Sequence, residues 1–181
     1  MNFLYPEYAE IKGKKYKINT SFSVALKCLK INNDENISDF ERALAIIYLL
    51  FGFIPDDDIE LFLEKAIKYL ECGEKPKDIE QEKDIDYEKD WKYIVASFMS
   101  DYSIDLSKVD LHFWQFYTLI QGLTEKSVLN RVRDIRNYDL SSIKDEKFKE
   151  KMKKAKKEVA LDEEEYSDEE LEQINEFNNL F

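Results

Sequence analysis

Apolar and polar positions recur with a helical period along most of this chain, and the main departure comes at its start. Tyr8-Ala9-Glu10-Ile11 and Lys15-Tyr16-Lys17-Ile18 are short runs separated by Lys12-Gly13-Lys14, where glycine can take the turn conformation a hairpin needs. Asn19-Thr20-Ser21 then offers capping oxygens before Phe22, Val24, Ala25, Leu26, Leu29 and Ile31, which predicts a helix over about 20–31. Ser38-Asp39-Phe40-Glu41 has capping-box form and opens a strongly apolar helix to Phe51 whose faces suggest burial. Gly52 stops it. Pro55, followed by Asp56, Asp57 and Asp58, predicts the start of the next helix, with anions at the positive end of its dipole, running to about Leu70.

Residues 71–86 break the pattern. They are charged, contain Gly73 and Pro76, and carry only Ile79 and Ile85 as aliphatics, so a mobile surface connection is expected. Periodicity resumes with Tyr87, Trp91, Ile94, Val95, Phe98 and Tyr102 on a fourth helix. After a turn at 105–110, Leu111-His112-Phe113-Trp114-Gln115-Phe116-Tyr117 begins an aromatic helix, taken as 109–121, that is apolar nearly all round. Such a helix either lies centrally in its own domain or presents surplus rings to another protein.

Gly122-Leu123-Thr124 ends that helix and caps the next, Glu125 to about Ile135, with Val128, Leu129, Val132 and Ile135 inward and Arg131, Arg133 and Arg136 along its outer side. A turn at 138–142 leads to a helix over 144–160. It has eight Lys against four Asp or Glu and one narrow stripe, Phe148, Met152, Ala155 and Val159, so loose docking along an edge is expected. The fold class is mainly α: a helical domain over 1–160 with an N-terminal β-hairpin, and an acidic tail at 161–181.

Charge sharpens that division. The formal charge is −12, and Asp162 to Phe181 holds nine Asp or Glu with no Lys or Arg, which leaves −3 for residues 1–161. The acidity belongs to the terminal segment, which would repel nucleic acid and anionic membrane. Within it, Ser167-Asp168-Glu169-Glu170 is a second capping box before a weak stripe of Leu171, Ile174 and Phe177. The segment reads either as a solvated tail or as a short amphipathic helix that binds a partner or covers the basic neighbour at 144–160.

Chemistry is sparse. His112 is the single histidine, and Cys28 and Cys72 lack CxxC spacing, so no zinc site or Cys-His pair has a frame. Phosphate loops and a serine elbow are absent from the sequence. Asp56-Asp57-Asp58 lacks the glycine-punctuated surround of a calcium loop. The apolar run 43–54 is well short of the ~20 residues of a membrane span, and the N-terminus does not read as a secretory signal. A soluble cytoplasmic protein with no cofactor, no nucleic-acid contact and no enzymatic role is expected. An acidic decoy of DNA is disfavoured because the charge lies in one tail instead of spreading over a folded face.

A longer string of features completes the reading: Tyr5-Pro6, Gly13, Ile18-Asn19-Thr20-Ser21-Phe22, Ile54-Pro55 and Cys72-Gly73, then Asp101-Tyr102-Ser103-Ile104-Asp105-Leu106, Leu111-His112-Phe113-Trp114-Gln115-Phe116, Gly122-Leu123, Arg136 and Asp139-Leu140-Ser141. Over roughly residues 5–160 it resembles the bacteriophage gene-product-fifteen family of Gram-positive siphophages and their prophages, with Phe113-Trp114 where members often carry two tryptophans. The resemblance implies a tail assembly chaperone, not an enzyme, working in the host cytoplasm and absent from the mature virion. Its implied client is the phage tape measure protein, with the tail-tube protein and a second copy of itself as further partners. The alternative is a structural tail or adaptor protein retained in the virion. Client-binding candidates are Tyr87, Trp91, Phe113, Trp114, Phe116 and Tyr117 in the domain and Leu171, Ile174 and Phe177 in the tail.

Overall fold

The computed structural model describes residues 5–73 and 84–161. Strands β1 (Tyr8–Ile11) and β2 (Lys14–Lys17) form the expected antiparallel hairpin, with Ile11 opposite Lys14. Lys12 and Gly13 both take positive φ, 49° and 75°, the two-residue turn whose twist matches that of paired strands. Alternation along β1 sends Ala9 and Ile11 into the core.

Seven α-helices follow among the described residues: α1 Phe22–Asn32, α2 Asp39–Phe51, α3 Ile59–Leu70, α4 Trp91–Tyr102, α5 Phe113–Gln121, α6 Val128–Asn137 and α7 Glu146–Glu158. A 3₁₀ turn at Leu140–Ser142 joins α6 to α7. The fold is mainly α with an N-terminal hairpin, as the periodicity predicts. The α2 capping box forms in full: the Glu41 N–H donates to Ser38 Oγ at 3.3 Å and the Ser38 N–H to Glu41 Oε2 at 3.1 Å. Gly52 closes the helix in the left-handed conformation, φ 79°.

Several helix starts differ from the expectation, most of them for a visible reason. Pro55 does not begin α3, which starts at Ile59. Asp58 precedes it at φ 65°, and its carboxylate pairs with Lys12 Nζ at 2.6 Å across the hairpin tip instead of capping the helix. The fourth helix begins at Trp91, not Tyr87. The aromatic helix begins at Phe113, because Leu111 and His112 are engaged elsewhere. The Phe22 N–H donates to the Leu111 carbonyl at 3.0 Å and the Phe113 N–H to the Thr20 carbonyl at 2.8 Å, a two-stranded bridge of Ser21 with His112. Ser21 accordingly makes no cap bond to α1, and its hydroxyl donates to Asp110 at 2.7 Å. Helix α6 starts at Val128 with Ser127 as its cap, since Thr124 is held by Asp101 Oδ2 through its N–H at 2.8 Å and its hydroxyl at 2.9 Å.

His112 is a capping residue. Its Nδ1 accepts from the Trp114 N–H at 3.1 Å, and Nε2 lies 3.1 Å from the Pro6 carbonyl, so one neutral tautomer satisfies both contacts. Helix α1 packs against α2 and α5, α2 against α3, and α4 against α6. The core between them is built on Phe22, Ile46, Ile47, Leu50, Phe62, Ile94, Phe98, Phe113, Phe116, Ile120 and Leu129. Cys28 is fully buried there, and burial pushes its thiol up to about 12.

Helix α6 carries the largest correction. Arg133 and Arg136 do not line an outer face. Arg136 turns inward to Asp90, with Nη1 and Nη2 each 2.7 Å from a carboxylate oxygen, and Nη1 and Nε also reach the Asp84 and Val159 carbonyls. Arg133 pairs with Asp84, its Nε 2.9 Å from Oδ2. Residues 84–86, expected in a surface connection, are thereby half-buried and fixed to α6. Positions 74–83 lie outside the described residues. Helix α7 packs on α6 and the 3₁₀ turn and has no buried residue, consistent with loose docking.

Candidate protein-binding surface

The candidate aromatics separate by depth. Phe113 and Phe116 are 1 % and 0 % exposed, so neither can meet a partner in the folded state. Phe116 sits at the centre of a stack, 4.8 Å from Phe22 and 5.3 Å from Phe98 between ring centroids, and Phe22 continues it to Trp91 at 6.2 Å. A helix apolar nearly all round is here a central helix, and burial is the physical reason these two candidates fall. Tyr117 is half-buried, tilted against Phe113 at 6.5 Å. Trp91 ends the stack, partly buried against the core.

Trp114 and Tyr87 reach two different grooves. The first, about 280 Å³, is walled by Pro6, Tyr8, Tyr69 and Trp114, with Lys65 and Lys68 at its rim. The Trp114 ring is fixed there: Nε1–H donates to the Tyr69 carbonyl at 2.9 Å, the ring stacks on Tyr69 at 6.1 Å, and Gly73 approaches so closely that a Cβ would meet the indole at 3.2 Å. The second groove, about 490 Å³, lies between α1 and residues 85–88, with Leu26, Leu29, Ile85 and Tyr87 as apolar wall. Lys30 and Glu88 cross it as an ion pair at 2.7 Å, and that partner raises the Lys30 ammonium above its ordinary value. Burial pushes the Tyr87 phenol up to about 12, with Tyr117 adding to the effect.

The most exposed aromatic surface is one the sequence reading assigned to the interior. On α2, Ala43, Ile46, Ile47 and Leu50 are buried, but Phe40 and Tyr48 are 63 % and 57 % exposed. Ile54, just beyond the helix, is 51 % exposed, and Phe53 beside it packs on Tyr16 at 6.0 Å. These residues make an apolar ridge flanked by charge from Asp39, Glu41 and Arg42. Spacing carries only part of the signal: Phe40, the half-buried Leu44 and Tyr48 form an i, i+4, i+8 row that winds away from the core, but the buried Ile47 and Phe51 stand at i+7 and i+11 from Phe40, so it shares their stripe and is exposed at the first turn of the helix.

A model of the family described as Bacteriophage Gp15 protein matches residues 3–161. The chain belongs to that phage family. The match covers the hairpin, all seven helices and the α2 ridge of this Gp15-family protein, and it stops before the acidic segment. No curated protein and no solved structure matches the chain. Leu171, Ile174 and Phe177 lie outside the described residues. Among the described residues, no group of His, Cys, Asp or Glu is arranged to hold a metal ion, and no helix is long and apolar enough to cross a membrane.

Proposed function

We propose that this Gp15-family protein is a tail assembly chaperone of a Gram-positive siphophage or prophage. In this reading it binds the tape measure protein in the host cytoplasm and gives way as tail-tube subunits polymerise. The observation that carries the reading is the α2 ridge. Phe40, Tyr48 and Ile54 stand more than half in solvent although the core beneath them is complete without them. Large apolar side chains left outside a finished core mark an interaction surface, and a long helical client exposing apolar stripes is a matching occupant. The grooves at Trp114 and Tyr87 extend the contact area available to such a client, with the partly buried Trp91 beside the ring stack. The role is one of binding, with no reaction and no cofactor assigned to it.

Co-expression with a phage tape measure protein, followed by size exclusion and mass analysis, tests the reading. A soluble multi-copy complex that dissociates as tube protein is added is the expected result. Recovery of this protein from purified virions at stoichiometric copy number would instead establish a retained structural or adaptor role.

A further inference from the structure

We infer that the acidic segment 162–181 docks on the lysine face of α7 in its own chain, closing an antiparallel helical hairpin of opposite charge. The inference is independent of the client reading and rests on what α7 leaves uncovered. Helix α7 has no buried residue, and Phe148 on its one apolar stripe is 44 % exposed. Lys144, Lys147, Lys149, Lys151, Lys153 and Lys154 make no side-chain ion pair or hydrogen bond among the described residues, despite Asp145, Glu146 and Glu150 in the same stretch. Unpaired like charges along one helix repel one another at i, i+3 and i+4 spacing, so this helix has an unmet need for anions.

The segment that follows supplies them. It carries nine carboxylates and no base, against a net charge of +4 over residues 144–160. The chain leaves α7 in a fixed place: Arg136 holds the Val159 carbonyl and Lys89 holds the Leu161 carbonyl. From there, the five residues 162–166 match in number the short loops that join antiparallel helices, and the sequence Ser167-Asp168-Glu169-Glu170 has capping-box form. Thirteen residues of α7 span about 20 Å at ~1.5 Å per residue, within reach of residues 168–180 folded back in the same geometry. In that register Leu171, Ile174 and Phe177 would cover the exposed side of the Phe148 stripe while the flanking glutamates meet the lysines.

Zero-length carbodiimide cross-linking of the full chain, as an equal mixture of isotopically light and heavy protein, tests this directly. The expected products join Lys147, Lys151 or Lys154 to acids of 162–176 within one chain. Amide exchange in α7 should accelerate about tenfold in ~1 M salt, or when Glu163, Glu164, Glu169 and Glu170 are all changed to Gln. Exchanging charges, with Lys147→Glu and Lys151→Glu combined with Glu169→Lys and Glu170→Lys, should restore slow exchange. Links only between light and heavy chains, links only to lysines outside 144–160, or α7 exchange that ignores salt and the glutamine substitutions would each overturn the inference.

Discussion

Arg136 and Asp90 meet as a two-pronged ion pair inside the protein, the arginine side chain 10 % exposed and the aspartate 1 %. The same guanidinium also binds the Asp84 and Val159 carbonyls, so one side chain gathers α4, α6, the entry to α4 and the end of α7. A fork geometry that lysine cannot reproduce makes this a specifically arginine position.

Removing Arg136 should therefore unsettle the fold more than its partly exposed setting suggests. Arg136→Met leaves the Asp90 carboxylate buried with the Asp86 N–H, 2.9 Å from Oδ2, as its remaining donor among the described residues, since it makes no cap bond to α4. A loss of about 3–5 kcal/mol in urea unfolding is expected, and Arg136→Lys should recover only part of it. A loss below ~1 kcal/mol for Arg136→Met would show that the pair is not a cornerstone of the fold.

The Tyr69 hydroxyl is buried without a hydrogen-bond partner among the described residues, and burial raises its phenol well above the ordinary value. Tyr69→Phe removes that desolvated group at no loss of contact, so stability should stay level or rise by up to ~1 kcal/mol. Trp114→Phe, which deletes the Nε1 donor to the Tyr69 carbonyl, should instead cost about 1–3 kcal/mol. Parallel thermal melts of the two variants distinguish these outcomes, and a destabilised Tyr69→Phe would mean that the hydroxyl has a partner.

Fold and binding should separate cleanly. Phe40→Glu with Tyr48→Glu changes side chains that stand mostly in solvent and should alter stability by no more than ~0.5 kcal/mol each. The same pair should weaken capture of the helical client at least about tenfold if the ridge is the contact. Phe116→Ala empties the middle of the ring stack and should cost about 3–5 kcal/mol. Unchanged capture by the α2 double variant would move the client site to the grooves at Trp114 and Tyr87.

Acid should destabilise the fold through identifiable carboxylates. Lys108 and then Ser107 hold Asp105 down to about 2, the Thr124 N–H and then the Ser100 hydroxyl hold Asp101 below its ordinary range, and Ser38 does the same for Glu41. Each has a lower value folded than the roughly 4 of an unfolded chain, so their contribution is present above pH ~4 and is lost as pH falls through the lowered values, about 2 in the case of Asp105. The melting temperature should be level near pH 6 and drop through that window, less steeply in Asp105→Asn. Superimposable profiles for the parent and Asp105→Asn would remove this carboxylate from the account.

The helices and the hairpin were legible in the sequence because their signals are local. Ser38 and Glu41 form the expected capping box, and Gly13 and Gly52 mark a turn and a stop. What escaped depends on partners far along the chain. Asp90 and Arg136 are 46 residues apart, and Ser21 gives its hydroxyl to Asp110 instead of capping α1. The aromatic richness of 113–117 was visible, but periodicity alone does not say which rings face a neighbour, so Phe113 and Phe116 read like surface candidates. Phe40 and Tyr48 were the reverse case, apolar residues on a strongly apolar helix that the core does not use.

The bridge between Ser21 and His112 also sets a clock on synthesis. Phe22 cannot complete its ring stack until Phe116 has left the ribosome, and the Ser21 hydroxyl waits 89 residues for Asp110. At ~5–20 residues per second that is roughly 5–20 s during which α1, α2 and α3 emerge in turn behind the hairpin without their closing surface. For that interval the nascent chain is itself an aromatic-rich partial fold, and its own second half is the first partner it must find.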